Sequence, residues 1–182
     1  MRIWFETHAT TRDNEAGLAS GEFDAELSER GLREAGELGM RYRGRGPAAV
    51  FCSDQQRSYQ TAAIAFAGAG VPIIRDARLA ECRHGDWARR PRAQIEEARQ
   101  RHIREPFPNG ESYEQVAARV KSFLDDLAEG WQGRGVLIIG HRATQYGLEH
   151  WVAGRPLKEA VLAEWRWQPG WVYDYLPARR QR

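Results

Sequence analysis

The chain has almost no lysine. Lys121 and Lys158 are the only two, so arginine carries nearly all of the positive charge. A planar guanidinium suits bidentate contacts to phosphate or carboxylate, although a GC-rich genome produces the same bias. Cysteine is as scarce: Cys52 and Cys82 stand far apart and form no metal-spaced pair, which points to a reducing compartment. Long apolar runs are missing too. The opening stretch Ile3-Trp4-Phe5 stops at Glu6, too short for a signal peptide, and no stretch is long enough to span a membrane. A cytoplasmic protein without a membrane role is expected. The formal net charge is only +2, and the basic residues are spread along the chain, which argues against a nucleic-acid partner.

What is present describes an ordinary globular chain. With 182 residues, 42% hydrophobic and 29% charged, it fits one domain with a sizeable core. No internal repeat or low-complexity segment divides it. The expected organisation is a single domain over residues 1–177, followed by a frayed tail over 178–182.

Hydrophobic patterning alternates between strands and helices. Residues 2–7 read as a buried first strand. Ser28 caps a helix running to about Tyr42, with Leu32, Ala35, Leu38 and Gly39 on one face. Ala48 to Cys52 forms a short strand, followed by a helix from about Arg57 to Phe66. Val71 to Ile74 is another strand candidate, with Pro72 at its start or on a sheet edge. A short helix is expected from Arg92 to about Ile103. Ser112 and Gln115 have capping-box spacing and open an amphipathic helix to about Leu127. Val136-Leu137-Ile138-Ile139 is an unbroken apolar run of the kind a parallel sheet buries on both faces. A helix from Ala143 to Val152 and a strand around Trp171 to Leu176 complete the series. The pattern predicts a mostly parallel α/β sheet with helices on both faces.

Ligands of such sheets bind beyond the carboxyl ends of the strands. Three of those ends carry suggestive residues: His8 after the first strand, Ser53-Asp54 and then Arg57 after the second, and His141 after the Val136 run. Two imidazoles and a guanidinium at one sheet edge, with Arg57 near a helix start, make an anion site.

Six segments then show a resemblance. Thr7-His8-Ala9-Thr10-Thr11-Arg12-Asp13-Asn14 is similar to an Arg-His-Gly-x-Thr-x-x-Asn signature, Leu27 to Ala35 to Leu-Thr-x-x-Gly-x-x-Gln-Ala, and Ser53 to Ala62 to Ser-x-Leu-x-Arg-Ala-x-Gln-Thr-Ala. Leu79-Ala80-Glu81, with Gly85-Asp86-Trp87 behind it, looks like an acidic proton-donor segment. Pro108-Asn109-Gly110-Glu111-Ser112 resembles Pro-x-Gly-Glu-Ser, and Gly140-His141 follows the last central strand. These are the motifs of the histidine phosphatase superfamily and the metal-independent phosphoglycerate mutases, in order, over residues 1 to about 155. The resemblance implies a three-layer α/β/α sandwich of phosphoglycerate mutase-like fold and a phosphomonoester hydrolase that needs no cofactor. It makes His8 the nucleophile, Arg57 and His141 the holders of the phosphoryl oxygens, and Glu81 the acid and base. Asn14 would add a hydrogen bond, with Thr11 also in the substrate site. The partner implied is a small phosphorylated substrate: a sugar phosphate, a nucleotide or a biosynthetic intermediate, with a phosphoprotein also compatible. A monomer and a homodimer both stay open. A mutase-like phosphotransferase is the nearest rival, disfavoured by the short sequence between Ile74 and Pro108; a catalytically weak phosphate-binding or regulatory protein is the other.

Two departures stand out. Thr7 occupies the position of the first signature arginine, with Arg142 and Arg12 as candidate replacements. Ala9 replaces a glycine, which costs energy if the backbone there needs a glycine-only angle. Arg89 to Arg92 and Arg99 to Arg104 read as a solvated basic face, or as recognition of a second negative group in the segment that covers the site. Trp165, Trp167 and Trp171 are expected to cap the core, with a sugar- or base-stacking role as the alternative, and His84, His102 and His150 to be surface or loop residues.

Overall fold

The structure, a computed structural model, describes residues 1–176. Pro177 and the tail expected from Ala178 to Arg182 lie outside the described residues. Strand β1 (Arg2–Thr7) leads into a one-turn helix α1 (Arg12–Glu15), a two-residue strand β2 (Leu18–Ala19) and helix α2 (Glu29–Tyr42). Strand β3 (Val50–Cys52), helix α3 (Gln56–Ala65) and strand β4 (Ile73–Arg75) follow. Then come β5 (Arg90–Pro91), helix α4 (Arg92–Ala98) and helix α5 (Tyr113–Gly130). The chain closes with β6 (Gly135–Gly140), α6 (Arg142–Trp151), α7 (Leu157–Leu162) and β7 (Trp171–Asp174).

The main sheet has the order β4-β3-β6-β1-β7. β3, β4, β6 and β1 run parallel, and β7 is antiparallel to β1. Alternation along β6 separates two cores, because successive side chains of a strand point to opposite faces. Val136 and Ile138 join Ile3, Phe5 and Phe51 under Val116, Val120, Phe123 and Leu124 of α5. Leu137 and Ile139 join Val50 and Cys52 under Leu38 and Tyr42 of α2 and Ala62 of α3. All four β6 residues are fully buried, and each contributes roughly 1.5–3 kcal/mol of apolar transfer free energy. This is the three-layer α/β/α sandwich with a mostly parallel sheet that the pattern and the resemblance implied. Among the described residues, no helix is long and apolar enough to cross a membrane.

The expected helices form with their caps. Ser28 accepts from Gly31 N at the start of α2, and Ser112 and Gln115 make a reciprocal capping box on α5. Four details differ. Leu32 is exposed, because α2 packs through Gly31, Ala35, Leu38 and Tyr42 and leaves Leu32 one residue round the helix. The helix from Arg92 stops at Ala98, and residues 101–103 form a separate 3-10 turn. The chain also builds α1, α7 and a small β2–β5 ribbon, all too short to show a period. His84 and His102 are buried rather than at the surface: His102 stacks on Phe107 with centroids 3.8 Å apart, and His84 lies 4.7 Å from the same ring.

Helix α2 presses directly on the loop after β1. A Cβ added at Gly31 would lie 1.9 Å from the Thr10 carbonyl oxygen, whereas one at Gly36 would meet nothing within 4 Å. Gly31→Ala is therefore expected to cost about 1–3 kcal/mol through overpacking and to displace the residue 8–11 loop. Gly36→Ala, on the same helix, is expected to stabilise by up to about 1 kcal/mol. Urea unfolding of the two variants tests this; equal effects would show that the close approach does not constrain the loop.

Candidate active site

Register builds the site. β1 pairs with β6 so that Thr7 faces Gly140, and His8 N donates to Gly140 O at 2.9 Å. His8 and His141 thus leave neighbouring strands at one level, with ring centroids 5.0 Å apart. On the other side of β6, Cys52 faces Ile139, which brings Ser53 beside the same strand end. Ser53 Oγ lies 2.7 Å from His141 Nε2.

Helix α3 braces this edge residue by residue. Ser58 Oγ donates to Ile139 O at 2.7 Å and accepts from Ser53 N at 3.2 Å. Thr61 Oγ1 accepts from Ala9 N at 3.0 Å, fixing the loop that carries His8. Arg57 is 1% exposed, and its Nη1 and Nη2 donate to the carbonyls of Phe23 and Gly21 at 2.7 and 2.8 Å. Glu81 arrives on a separate brace. Its Oε1 accepts from Cys82 N at 2.7 Å and from Ala143 N, in the first turn of α6, at 3.2 Å. Gln55 Oε1 accepts from Glu81 N, while Arg119 donates both to the Glu81 carbonyl and to the Glu111 carboxylate. The Pro108 to Ser112 segment is thereby tied to the loop of Glu81.

A cavity of about 630 Å³ opens at this edge, and His8, Arg57, Glu81 and His141 all line it. Thr7, Asn14 and Arg142 line it as well. Asn14 also closes the α1 capping box with Thr11, and the buried Thr11 is not part of the lining. Arg12 is outside: its side chain is exposed and lies 3.5 Å from Glu26. Arg142 is held by Glu96 and lies over the rings of Tyr146 and Trp165. Trp165 and Trp167 face the cavity instead of capping the core, which Trp171 does against Phe5. Arg89 pairs with Asp13, Arg101 with Glu105 and Arg104 with Glu114, so Arg92 and Arg99 are what the basic segment brings to the lining. Ala9 has no left-handed backbone angle, so its replacement of glycine carries no strain. Gln55, Thr61 and Arg119 carry no chemical signal of their own in the sequence; Thr61, like the strand-end Ser53, sits at a matching motif position, the one signal that could have found it.

Electrostatics follow from burial beside a cation. Desolvation, then the Arg57 charge, pushes His8 down to about 3. The Ala9 carbonyl 2.7 Å from His8 Nδ1 accepts only, so Nδ1 carries the proton and Nε2 keeps its lone pair. The same causes, with His8 itself, hold His141 well below the usual histidine range. Its Nδ1 is buried with no partner among the described residues. With the Ser53 hydroxyl donating to Nε2, the proton of the neutral ring sits on Nδ1. Among the described residues, no group of three or more His, Cys, Asp or Glu side chains is arranged to hold a metal ion.

The histidine phosphatase superfamily (branch 1) model matches residues 3–167. The chain belongs to that superfamily. The adenosylcobalamin/alpha-ribazole phosphatase of Escherichia coli is 28% identical over 150 residues, 78% of this chain and 74% of that protein. A Yersinia pestis protein named "Probable phosphoglycerate mutase GpmB" is 28% identical over 149 residues, 78% of this chain and 69% of its own. A solved mycobacterial glucosyl-3-phosphoglycerate phosphatase, complexed with VO3, superposes with a TM-score of 0.80 at 25% identity, covering 90% of this chain and 85% of that one.

A histidine held neutral in the fold favours acid unfolding in a definite window. His141 takes up a proton in the unfolded chain below about pH 6.5 but not in the folded one. Its contribution is therefore present above that pH and is lost as pH falls below it, by up to about 1.4 kcal/mol per pH unit. The urea midpoint is expected to drop from pH 6.5 to 5, less steeply in His141→Gln. Parallel slopes would mean that His141 protonates in the folded protein.

Proposed function

We propose that this protein hydrolyses a small phosphomonoester through a phosphohistidine on His8. The observation that carries the reading is the pair of imidazoles, 5.0 Å apart on one cavity, with His8 Nδ1 tied to Ala9 O and Nε2 left as the free nucleophilic nitrogen. Nε2 attacks phosphorus in line, forming the N–P bond as the bond to the ester oxygen breaks. Arg57 and the His141 Nδ1–H balance charge on the equatorial oxygens, and Asn14 donates a further hydrogen bond. Glu81 gives its proton to the leaving oxygen. It then takes one from the water that attacks the phosphohistidine, the N–P electron pair returns to Nε2, and inorganic phosphate leaves.

Hydrolysis is favoured over transfer because the segment over the site, residues 76–110, is built of short 3-10 turns and the seven-residue α4, too little to seal the phosphoryl group from water. A cavity of about 630 Å³ suits a small metabolite. The aromatic wall of Tyr113, Tyr146 and Trp165 would face its alcohol portion. Phosphatases of this kind among its relatives support the same reading. The buried, unpaired Cys52 and Cys82 support work in a reducing compartment, the cytoplasm.

Release of phosphate from a panel of phosphomonoesters tests the proposal. Activity is expected to persist in EDTA, to vanish in His8→Ala and to fall by about 10²–10⁴-fold in Glu81→Gln. An acid-labile, base-stable phosphate should be trapped on the protein during turnover. Loss of activity in EDTA, restored by a divalent ion, would reject the mechanism.

A further inference from the structure

The superfamily signature places a second phosphate-gripping arginine where this chain has Thr7, and Thr7 lines the cavity beside His8. The other guanidinium groups on the lining are nearly all engaged. Arg30 pairs with Glu34, Arg41 with Glu6, and Arg99 with Glu96 and the Val161 carbonyl. Arg142 is committed to Glu96, and Arg57 gives its terminal nitrogens to the Gly21 and Phe23 carbonyls. Arg92 is the exception: among the described residues its side chain has neither an ion pair nor a hydrogen bond.

Helix geometry explains why. Arg92, Ile95, Glu96 and Arg99 all line the cavity, so α4 turns one continuous face towards it. Ile95 anchors that face by burial, and the Arg92 backbone N–H donates to Gly17 O at 2.8 Å. The ordinary helical partner of Arg92 would be Glu96, four residues on. That carboxylate already holds Arg99 at 2.9 Å and Arg142, which leaves the Arg92 charge free at the cavity rim.

Resting on the phosphohistidine reading, we propose that Arg92 is the second guanidinium of the phosphoryl site, reaching in from α4 to do what an arginine at position 7 would do from β1. A long exposed side chain can close on an arriving phosphate in the bidentate geometry that a carboxylate or phosphate selects. Its charge already contributes to holding His8 neutral, after burial and Arg57. Neither Arg142, tethered to Glu96, nor Arg12, outside the cavity, is placed to do this. Because the α4 arginine acts on the transferred group, its effect must appear with a substrate that has no second anionic group.

The test uses p-nitrophenyl phosphate turnover and the affinity for inorganic phosphate, measured on the full chain. Arg92→Gln is expected to lower kcat/KM and phosphate affinity roughly ten- to a hundredfold. Arg92→Lys should retain part of each. Adding Thr7→Arg to Arg92→Gln should restore at least about tenfold, since it returns the fork to the same anion from the strand side. Unchanged kcat/KM and phosphate affinity in Arg92→Gln would overturn the proposal. So would a loss that neither Arg92→Lys nor Thr7→Arg reduces, which would assign Arg92 a structural role. Failure of the phosphohistidine reading looks different: the unaltered protein would then release no phosphate and carry no label on His8, while the phosphate affinities would still report on Arg92.

Discussion

His8 N donates to Gly140 O, carrying the β1–β6 ladder one residue past the end of β1. That bond fixes the two imidazoles at one height, because parallel register aligns Thr7 with Gly140 and so His8 with His141. The neighbouring pairing of Cys52 with Ile139 brings Ser53 to His141 in the same way. A register slip of one residue would send each of these side chains to the opposite face of the sheet. The fully buried run from Val136 to Ile139 prevents the slip, since both of its faces are committed to cores. The stability of the sandwich and the geometry of the site therefore rest on the same set of contacts.

The charge arrangement at this edge is costly. Arg57 is buried against neutral carbonyls, and burial lowers its proton affinity. His141 Nδ1 has no partner among the described residues, and a buried polar atom left orphaned costs about 1–3 kcal/mol. A bound phosphoryl group would offset both costs at once. Preorganised donors of this kind need no rearrangement when charge develops in the transition state. The surrounding braces, Thr61 on the His8 loop and Arg119 between Glu111 and Glu81, hold these groups in place.

The cavity is asymmetric about the pair of imidazoles. One wall, made by α4 and α6 with Tyr113, presents arginines and aromatic rings; the other, made by α2, presents Glu34 and Glu37 with Arg30 and Arg41. Glu96 organises the first wall by holding Arg99 and Arg142 together. Charge that a sequence shows only as a basic segment is thereby sorted into paired and free groups.

Sequence alone determined the layers, the central strand, the capped helices and the four residues that meet at the sheet edge. Each is a local signal: an apolar run, a cap at fixed spacing, or a motif at a strand end. Tertiary structure decided what depends on partners distant in the chain. Leu32 lies outside because α2 meets the sheet one residue round from it, and His84 and His102 are buried because Phe107 folds back over them. Ala9 proved unstrained, a matter of backbone angle that residue type does not reveal. Whether Arg142, Arg12 or Arg92 carries a free charge into the cavity depended on where Glu96 and Glu26 came to rest, and ion pairing is set by folded distance rather than by spacing along the chain.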